Sequence, residues 1–286
     1  MNSLQIIQPG FYTTVQDAGR RGFAHLGVPE SGAMDQDSYR RANALLNNQP
    51  GVAVLECTLV GPQIRFEMDT AFVITGGFTQ AILDGEPVVH GVVAFAKAQQ
   101  ILKVGAIQSA TRCYLAFAGG IESKLVLGSR SMYPPLTKFR VMKGEELPLG
   151  NSSFGNQKGA RLKVLKSSIK TTIDTIREIP AYKGPEYLKL NKAQEEECLK
   201  VFTVSKHWNR MALQLEEPLR NDFDTMITAP VLPGTVQLTP SGTLIVLLRD
   251  CQTTGGYPRI LQVSEAGLNG LSRLQKGDQF RWKLFI

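Results

Sequence analysis

Short apolar runs cut by glycine turns constrain this chain more than any other feature. FVIT at 72–75, YLAF at 114–117 and LIVLL at 244–248 are β-favouring and too brief for ordinary helices. Turn signals punctuate the chain: Asp84-Gly85, Gly76-Gly77, Gly119-Gly120, Gly255-Gly256 and Lys276-Gly277-Asp278. Two stretches read as helix. One starts at Gln36 behind an Asp35 cap and continues through Tyr39, Ala42, Leu45 and Leu46. The other spans about Asn191–Lys200, with Leu199 and Phe202 near one face. The pattern predicts a mainly β protein with few helices, built from sandwiches or barrels and not from a doubly wound sheet.

A chain of 286 residues suits one large or two ordinary domains. Hydrophobic residues make up 43% and charged residues 20%, which excludes a disordered chain. Residues 61–77 (GPQIRFEMDTAFVITGG) and 234–250 (GTVQLTPSGTLIVLLRD) share an outline: a glycine, a strand, a polar turn, and a second apolar strand after a threonine. Two similar β-barrels in one chain would produce such a repeat. The Gly/Ser/Asn cluster GNSSFGN at 150–156 marks the boundary, giving domains 1–152 and 153–286.

The formal net charge is +7, and residues 151–210 hold 12 Lys/Arg against 6 Asp/Glu. There the basic residues alternate with apolar ones, as in Arg161-Leu162-Lys163-Val164-Leu165-Lys166, which reads as the solvated face of a strand and not as a nucleic-acid surface. The cysteines at 57, 113, 198 and 251 show neither zinc nor disulfide spacing. The N-terminal residues lack the features of a signal peptide, and no apolar stretch is long enough to span a bilayer. The expected location is the cytoplasm, with no membrane partner.

Four segments carry candidate chemistry. Residues 14–35 (TVQDAGRRGFAHLGVPESGAMD) mix glycines with Gln16, Asp17, His25, Ser31, Met34 and Asp35. Such a stretch is either a binding loop or a long surface turn ending in the Asp35 cap. Residues 249–258 (RDCQTTGGYP) follow an apolar strand directly. Gln252, Thr253, Thr254, Gly255 and Gly256 there suit either a nest of N–H donors or a plain hairpin beside Tyr257. GSRSMY at 128–133 and WNRM at 208–211 place Arg130 with Ser131, and Arg210 with Asn209. These guanidinium groups suit a carboxylate or phosphate, or an ordinary salt bridge. No Walker loop, metal-ligand spacing or G-x-S-x-G elbow occurs. Met142-Lys143 lacks the flanking residues of a biotin-attachment site and reads as a turn lysine.

In order, these strings resemble the urea-amidolyase-related family, which takes in the second subunit of allophanate hydrolase and the C subunit of 5-oxoprolinase. The resemblance rests on TVQD (14–17), HLGVP (25–29), SGAMD (31–35), Leu55-Glu56, LVGP (59–62), Thr75-Gly76, AGGI (118–121), LGSRS (127–131), NRM (209–211) and QTTGGYP (252–258). It implies two cyclophilin-like β-barrels and an obligate complex with a smaller, B-type protein and, in 5-oxoprolinases, a larger A-type protein that is amidohydrolase-like. The implied reaction opens 5-oxoproline to glutamate with ATP, which this chain shows no motif to bind. An alternative is carboxyl transfer to urea or allophanate, with biotin on a partner. Another is a non-enzymatic regulator that antagonises a kinase inhibitor.

On that resemblance His25 or Asp17 would move protons, and Arg130 and Arg210 would steady an anion. The backbone of 254–256 would act as an oxyanion hole, and Tyr257 would join His25, Asp17 and Arg210 in the catalytic set. Gln16, Ser31, Met34, Asp35, Ser131, Asn209, Gln252 and Thr253 complete the expected substrate set. The sequence departs from the family at Pro134-Pro135 through Lys138, where a glycine-rich loop is usual, and at Ala212-Leu213-Gln214 and Glu217.

Overall fold

The computed structural model describes residues 2–152 and 176–285; the basic Arg161–Lys166 run and the end of the 150–156 boundary cluster lie outside them. The chain is mainly β, with three α-helices among the described residues. It divides into two compact units. Described residues 2–20 and 35–152 form the first, and 21–34 with 176–285 form the second.

In the first unit the strands build two sheets around one core. The six-stranded sheet runs in the order Glu146–Pro148, Ser3–Gln8, Gln63–Phe66, Ile101–Lys103, Ile82–Leu83, Glu86–Pro87. The five-stranded sheet runs Tyr12–Gln16, Val54–Thr58, Ile107–Phe117, Thr70–Thr79, Ala94–Ala96. Side chains alternate across each strand. Leu55 and Cys57 therefore enter the core with Leu115 and Phe117, where Phe66 packs on Phe72 and Phe117. The opposite face, bearing Glu56, Arg112 and Tyr114, is buried as well, and the Gln36–Leu45 helix covers part of it by packing on the Ile107–Phe117 and Thr70–Thr79 strands. That helix begins where expected, because both Asp35 oxygens are used in its first turn: Oδ1 accepts from the Asp37 and Ser38 amides and Oδ2 from the Ser38 hydroxyl.

The second unit is a closed seven-stranded barrel. Its core holds Phe202, Val204, Val236, Leu238, Phe280 and Trp282. The Lys192–Cys198 helix carries an Asn191–Gln194 capping box. It stops short of Leu199, which is half exposed, while Phe202 belongs to the following strand; those two residues do not share a helix face. The Glu265–Leu271 helix has no clear signal in the sequence because two glycines disguise it. Gly267 is required there: a Cβ would stand 2.6 Å from the Pro180 carbonyl and 2.5 Å from a Val263 methyl.

The repeat outline hides a difference. Thr235–Leu238 and Leu244–Leu247 pair as a hairpin closed by Thr239 and Gly242. Gln63–Phe66 and Thr70–Thr79 instead enter different sheets. Their intervening turn is tied elsewhere, since Asp69 accepts from Lys97 Nζ and the Ala98 amide. Nor is Gly76-Gly77 a turn. Both glycines lie inside the Thr70–Thr79 strand, where side chains would crowd the Arg112 carbonyl at 3.0 and 2.9 Å.

Phe280 is fully buried against Phe202 and Trp282. Phe280→Ala should destabilise the second unit by about 3–5 kcal/mol, and Asn191→Ala by about 1 kcal/mol. Both tryptophans, Trp208 and Trp282, belong to that unit, so urea unfolding followed by tryptophan fluorescence measures the two changes.

Candidate functional site

The expected site residues fall into two sets, one in each unit. In the first, Asp17 ends the Tyr12–Gln16 strand and is 5% exposed. Its Oδ1 accepts from the Gly19 amide at 2.8 Å and the Ser129 and Ser131 hydroxyls at 2.7 and 2.6 Å, and its Oδ2 from the Arg130 amide at 2.6 Å. Charge-assisted bonds of this length are strong. They wrap the 128–132 loop around one carboxylate, and Arg20 closes the wrap by donating to the Ser131 carbonyl at 2.6 Å. Asp17 is thereby placed as an anchor, while the Arg130 guanidinium points away to the Ser123 carbonyl and Glu122. Gln16 donates to Thr14 and to the Met132 carbonyl, leaving its buried Oε1 without a hydrogen-bond partner among the described residues. Tyr133 and Thr137 bond each other across the departure at 134–138, making it a closed turn.

Asp35 is placed as a helix cap, and its amide donates to the Tyr114 hydroxyl at 2.7 Å. That hydroxyl donates to Glu56 Oε2 at 3.0 Å, and Glu56 Oε1 lies 3.5 Å from Arg112 Nε. Burial, then the Glu56 and Asp35 carboxylates, push the Tyr114 phenol well above its ordinary range. This Glu56–Arg112–Tyr114 group is not among the residues expected from sequence to carry chemistry. Its signal was available as polar residues two apart, Thr14/Gln16, Glu56/Thr58 and Arg112/Tyr114, on strands whose alternate residues are apolar.

In the second unit Arg210 is 6% exposed and forks onto Asp250, Nε to Oδ2 at 2.7 Å and Nη2 to Oδ1 at 3.1 Å; Nη2 also donates to the Gly32 carbonyl at 2.6 Å. The Ser31 amide donates to the Arg249 carbonyl. These bonds hold residues 31–34 against the barrel, and Met34 enters its hydrophobic core. Ser31 is buried with φ 55° and an Oγ that has no hydrogen-bond partner among the described residues. Asn209 caps its own turn through the Met211 and Ala212 amides. The Glu217 departure accepts from the Thr203 amide and hydroxyl, both at 2.6 Å. His25 sits exposed on the 3-10 turn Ala24–Leu26. Lys143 lies in an exposed turn, as expected.

The glycine-rich segment is a short ribbon. Thr254–Gly255 pairs with Ala229–Pro230, leaving Gln252 and Thr254 exposed and Tyr257 half-buried. Arg259 fastens one end by donating to the Pro230 carbonyl and forking onto Glu186 at 2.8–2.9 Å. Among the described residues no group of three or more His, Cys, Asp or Glu could hold a metal ion. No helix among them is long and apolar enough to cross a membrane.

Two expectations follow. Asp17→Asn places an amide N–H2 among donors, so the first unit should lose at least about 1–3 kcal/mol, and Arg130→Ala no more than about 0.5 kcal/mol; thermal unfolding of the two variants compares them. Hydrogen bonds from Arg259 hold the Glu186 carboxyl below its usual range. The resulting stability is present above the ordinary glutamate pKa and is lost as pH falls through the lowered folded value. The urea midpoint should therefore drop more steeply on acidification in the wild type than in Glu186→Gln.

The carboxyltransferase domain, subdomain A and B, model matches residues 26–284. The C subunit of 5-oxoprolinase from Escherichia coli K12 is 36% identical over 96% of this chain and 89% of its own length. That of Haemophilus influenzae is 29% identical over 94% and 87%. The Saccharomyces cerevisiae urea amidolyase is 31% identical over 76% of this chain but only 12% of its own length. The structure of Kluyveromyces lactis urea amidolyase superposes with a TM-score of 0.88 at 26% identity, covering 99% of this chain and 19% of that one. Matched along nearly its whole described length, the chain belongs to the family of carboxyltransferase domains with subdomains A and B.

Proposed function

We propose that this chain is the C-type subunit of an ATP-dependent complex that opens the lactam of 5-oxoproline to glutamate. The observation that carries the reading is the near full-length likeness to two proteins named as the C subunit of 5-oxoprolinase, against a match to a small fraction of the urea amidolyases. In this reading two partner proteins, one smaller and one larger, accompany the chain in the cytoplasm. ATP is used by the complex, and this sequence carries no Walker-type phosphate-binding loop.

The chain's own residues divide the work. The exposed His25 carries a proton. Gln252, Thr254 and the backbone at 255–256 present donors to a carbonyl oxygen whose charge grows as the ring opens. In the first unit taken by itself, the Arg130 side chain, 27% exposed and shared with the Ser123 carbonyl and Glu122, is the cation that an anion would meet. Arg210 and Asp17 act as positioning residues, because their polar atoms hold the 31–34 strap and the 128–132 loop.

The second reading, carboxyl transfer to urea or allophanate with a biotinyl partner, is favoured by the family itself and by the urea amidolyase relatives. Co-expression with both partner proteins, followed by 5-oxoproline-dependent ATP hydrolysis and glutamate release, separates the two. The expected result is turnover that avidin leaves unchanged. His25→Ala should lower the rate by more than about tenfold, roughly 1.4 kcal/mol; a smaller loss removes His25 from the chemistry. Turnover of urea or allophanate that avidin abolishes would establish the second reading.

A further inference from the structure

The barrel strand Thr235–Leu238 points Val236 and Leu238 into the core and Thr235 and Gln237 outward. Thr235 is satisfied, donating to Gln262 Oε1 at 2.9 Å. Gln237 is not. It is 2% exposed, and its Nε2 has no hydrogen-bond partner among the described residues. Native interiors seldom bury an amide N–H2 without an acceptor, so such a group calls for one.

What lies over it is the glycine ribbon. A Cβ on Gly255 would stand 2.3 Å from Gln237 Nε2 and 3.3 Å from a Val231 methyl. The amide nitrogen therefore occupies the space that any side chain at 255 would fill. Val231, Leu247 and Cys251 form a small apolar cluster beside it, with Ile245 packed against them. Low polarity of that kind strengthens a hydrogen bond made there.

We infer that Gln237 reads the cis-amide edge of the substrate. A primary carboxamide offers one N–H donor and one C=O acceptor side by side. Its complement is a group with N–H and C=O on the same edge, which a lactam or a ureido group has and an ester or an N-alkylated lactam does not. The two-residue ribbon is the cover that moves for the ligand to reach Nε2, by opening its pairing with Ala229–Pro230, and glycines at 255 and 256 widen the backbone conformations open to it. This assignment rests on the lactam-opening reading above and adds to it the residue that selects the amide.

The test titrates two probes into the purified complex by calorimetry. The first is 2-pyrrolidinone, which carries the lactam edge; the second is N-methyl-2-pyrrolidinone, which lacks the N–H. The wild type should prefer the first by about tenfold or more. Gln237→Met, similar in shape and with melting temperature checked, should lose the preference. Gln237→Glu should regain it only at low pH, where a protonated carboxyl again offers O–H beside C=O. No preference in the wild type, or a preference that survives in Gln237→Met, overturns the inference.

Turnover of 5-oxoproline in the same preparation keeps the two readings apart. Turnover without a Gln237-dependent preference removes Gln237 alone. A Gln237-dependent preference without turnover retains the amide site and removes the 5-oxoprolinase assignment.

Discussion

A buried ion pair, with the Ser31 amide bond to the Arg249 carbonyl beside it, sets the placement of residues 31–34. Arg210 is almost wholly out of water, and Asp250 opposes its charge through two hydrogen bonds. Such a pair adds little net stability over an apolar substitute, yet removing one partner leaves a bare buried charge at a cost of about 3–5 kcal/mol. It therefore specifies an arrangement more than it strengthens one. The arrangement specified is the third bond, to the Gly32 carbonyl. With that carbonyl fixed, Ser31 and Gly32 take up positive φ and Met34 turns into the barrel core. A segment at residues 31–34 thus becomes part of a barrel whose described strands begin at Arg177.

The first unit uses a carboxylate for the same purpose. Asp17 gathers donors from both sides of a gap of more than a hundred residues, Gly19 on one side and Ser129, Arg130 and Ser131 on the other. The adjacent five-stranded sheet explains why polar residues accumulate there. Its inner face takes the apolar core and its outer face is also withdrawn from water, so Thr14, Glu56 and Tyr114 are buried in one row across the Tyr12–Gln16, Val54–Thr58 and Ile107–Phe117 strands. Buried polar groups in a row have each other as partners, and the Tyr114–Glu56 bond is the result.

Local chemistry was legible in the sequence. The Asp35 and Asn191 caps act within three residues of themselves, and the Asp84-Gly85 hairpin needs only its own φ values. The mainly β reading came from short apolar runs, and the glycine segment at 252–258 stood out by composition. Whatever depended on distant neighbours was not legible. Gly76-Gly77 reads as a turn unless the Arg112 carbonyl is known to press on it. The repeat at 61–77 reads as a hairpin unless Lys97 and Ala98 are known to hold Asp69. Arg210 reads as an anion binder until Asp250 and Gly32 are found on its guanidinium. Gln237 carries no local signal, because its only distinction is the ribbon that crosses it eighteen residues later.

The strap at 21–34 has a consequence for how the chain is made. Its hydrogen bond to Arg210 spans 178 residues. At a synthesis rate of about 5–20 residues per second, roughly 10–35 s separate the emergence of Gly32 from that of Arg210. The first unit's segments are being completed during that interval, while Met34 has no barrel to enter. The nascent chain therefore carries an early-made segment whose buried end, at residues 31–34, waits for a late-made host, and the period in which a chaperone would find it is set by translation and not by folding.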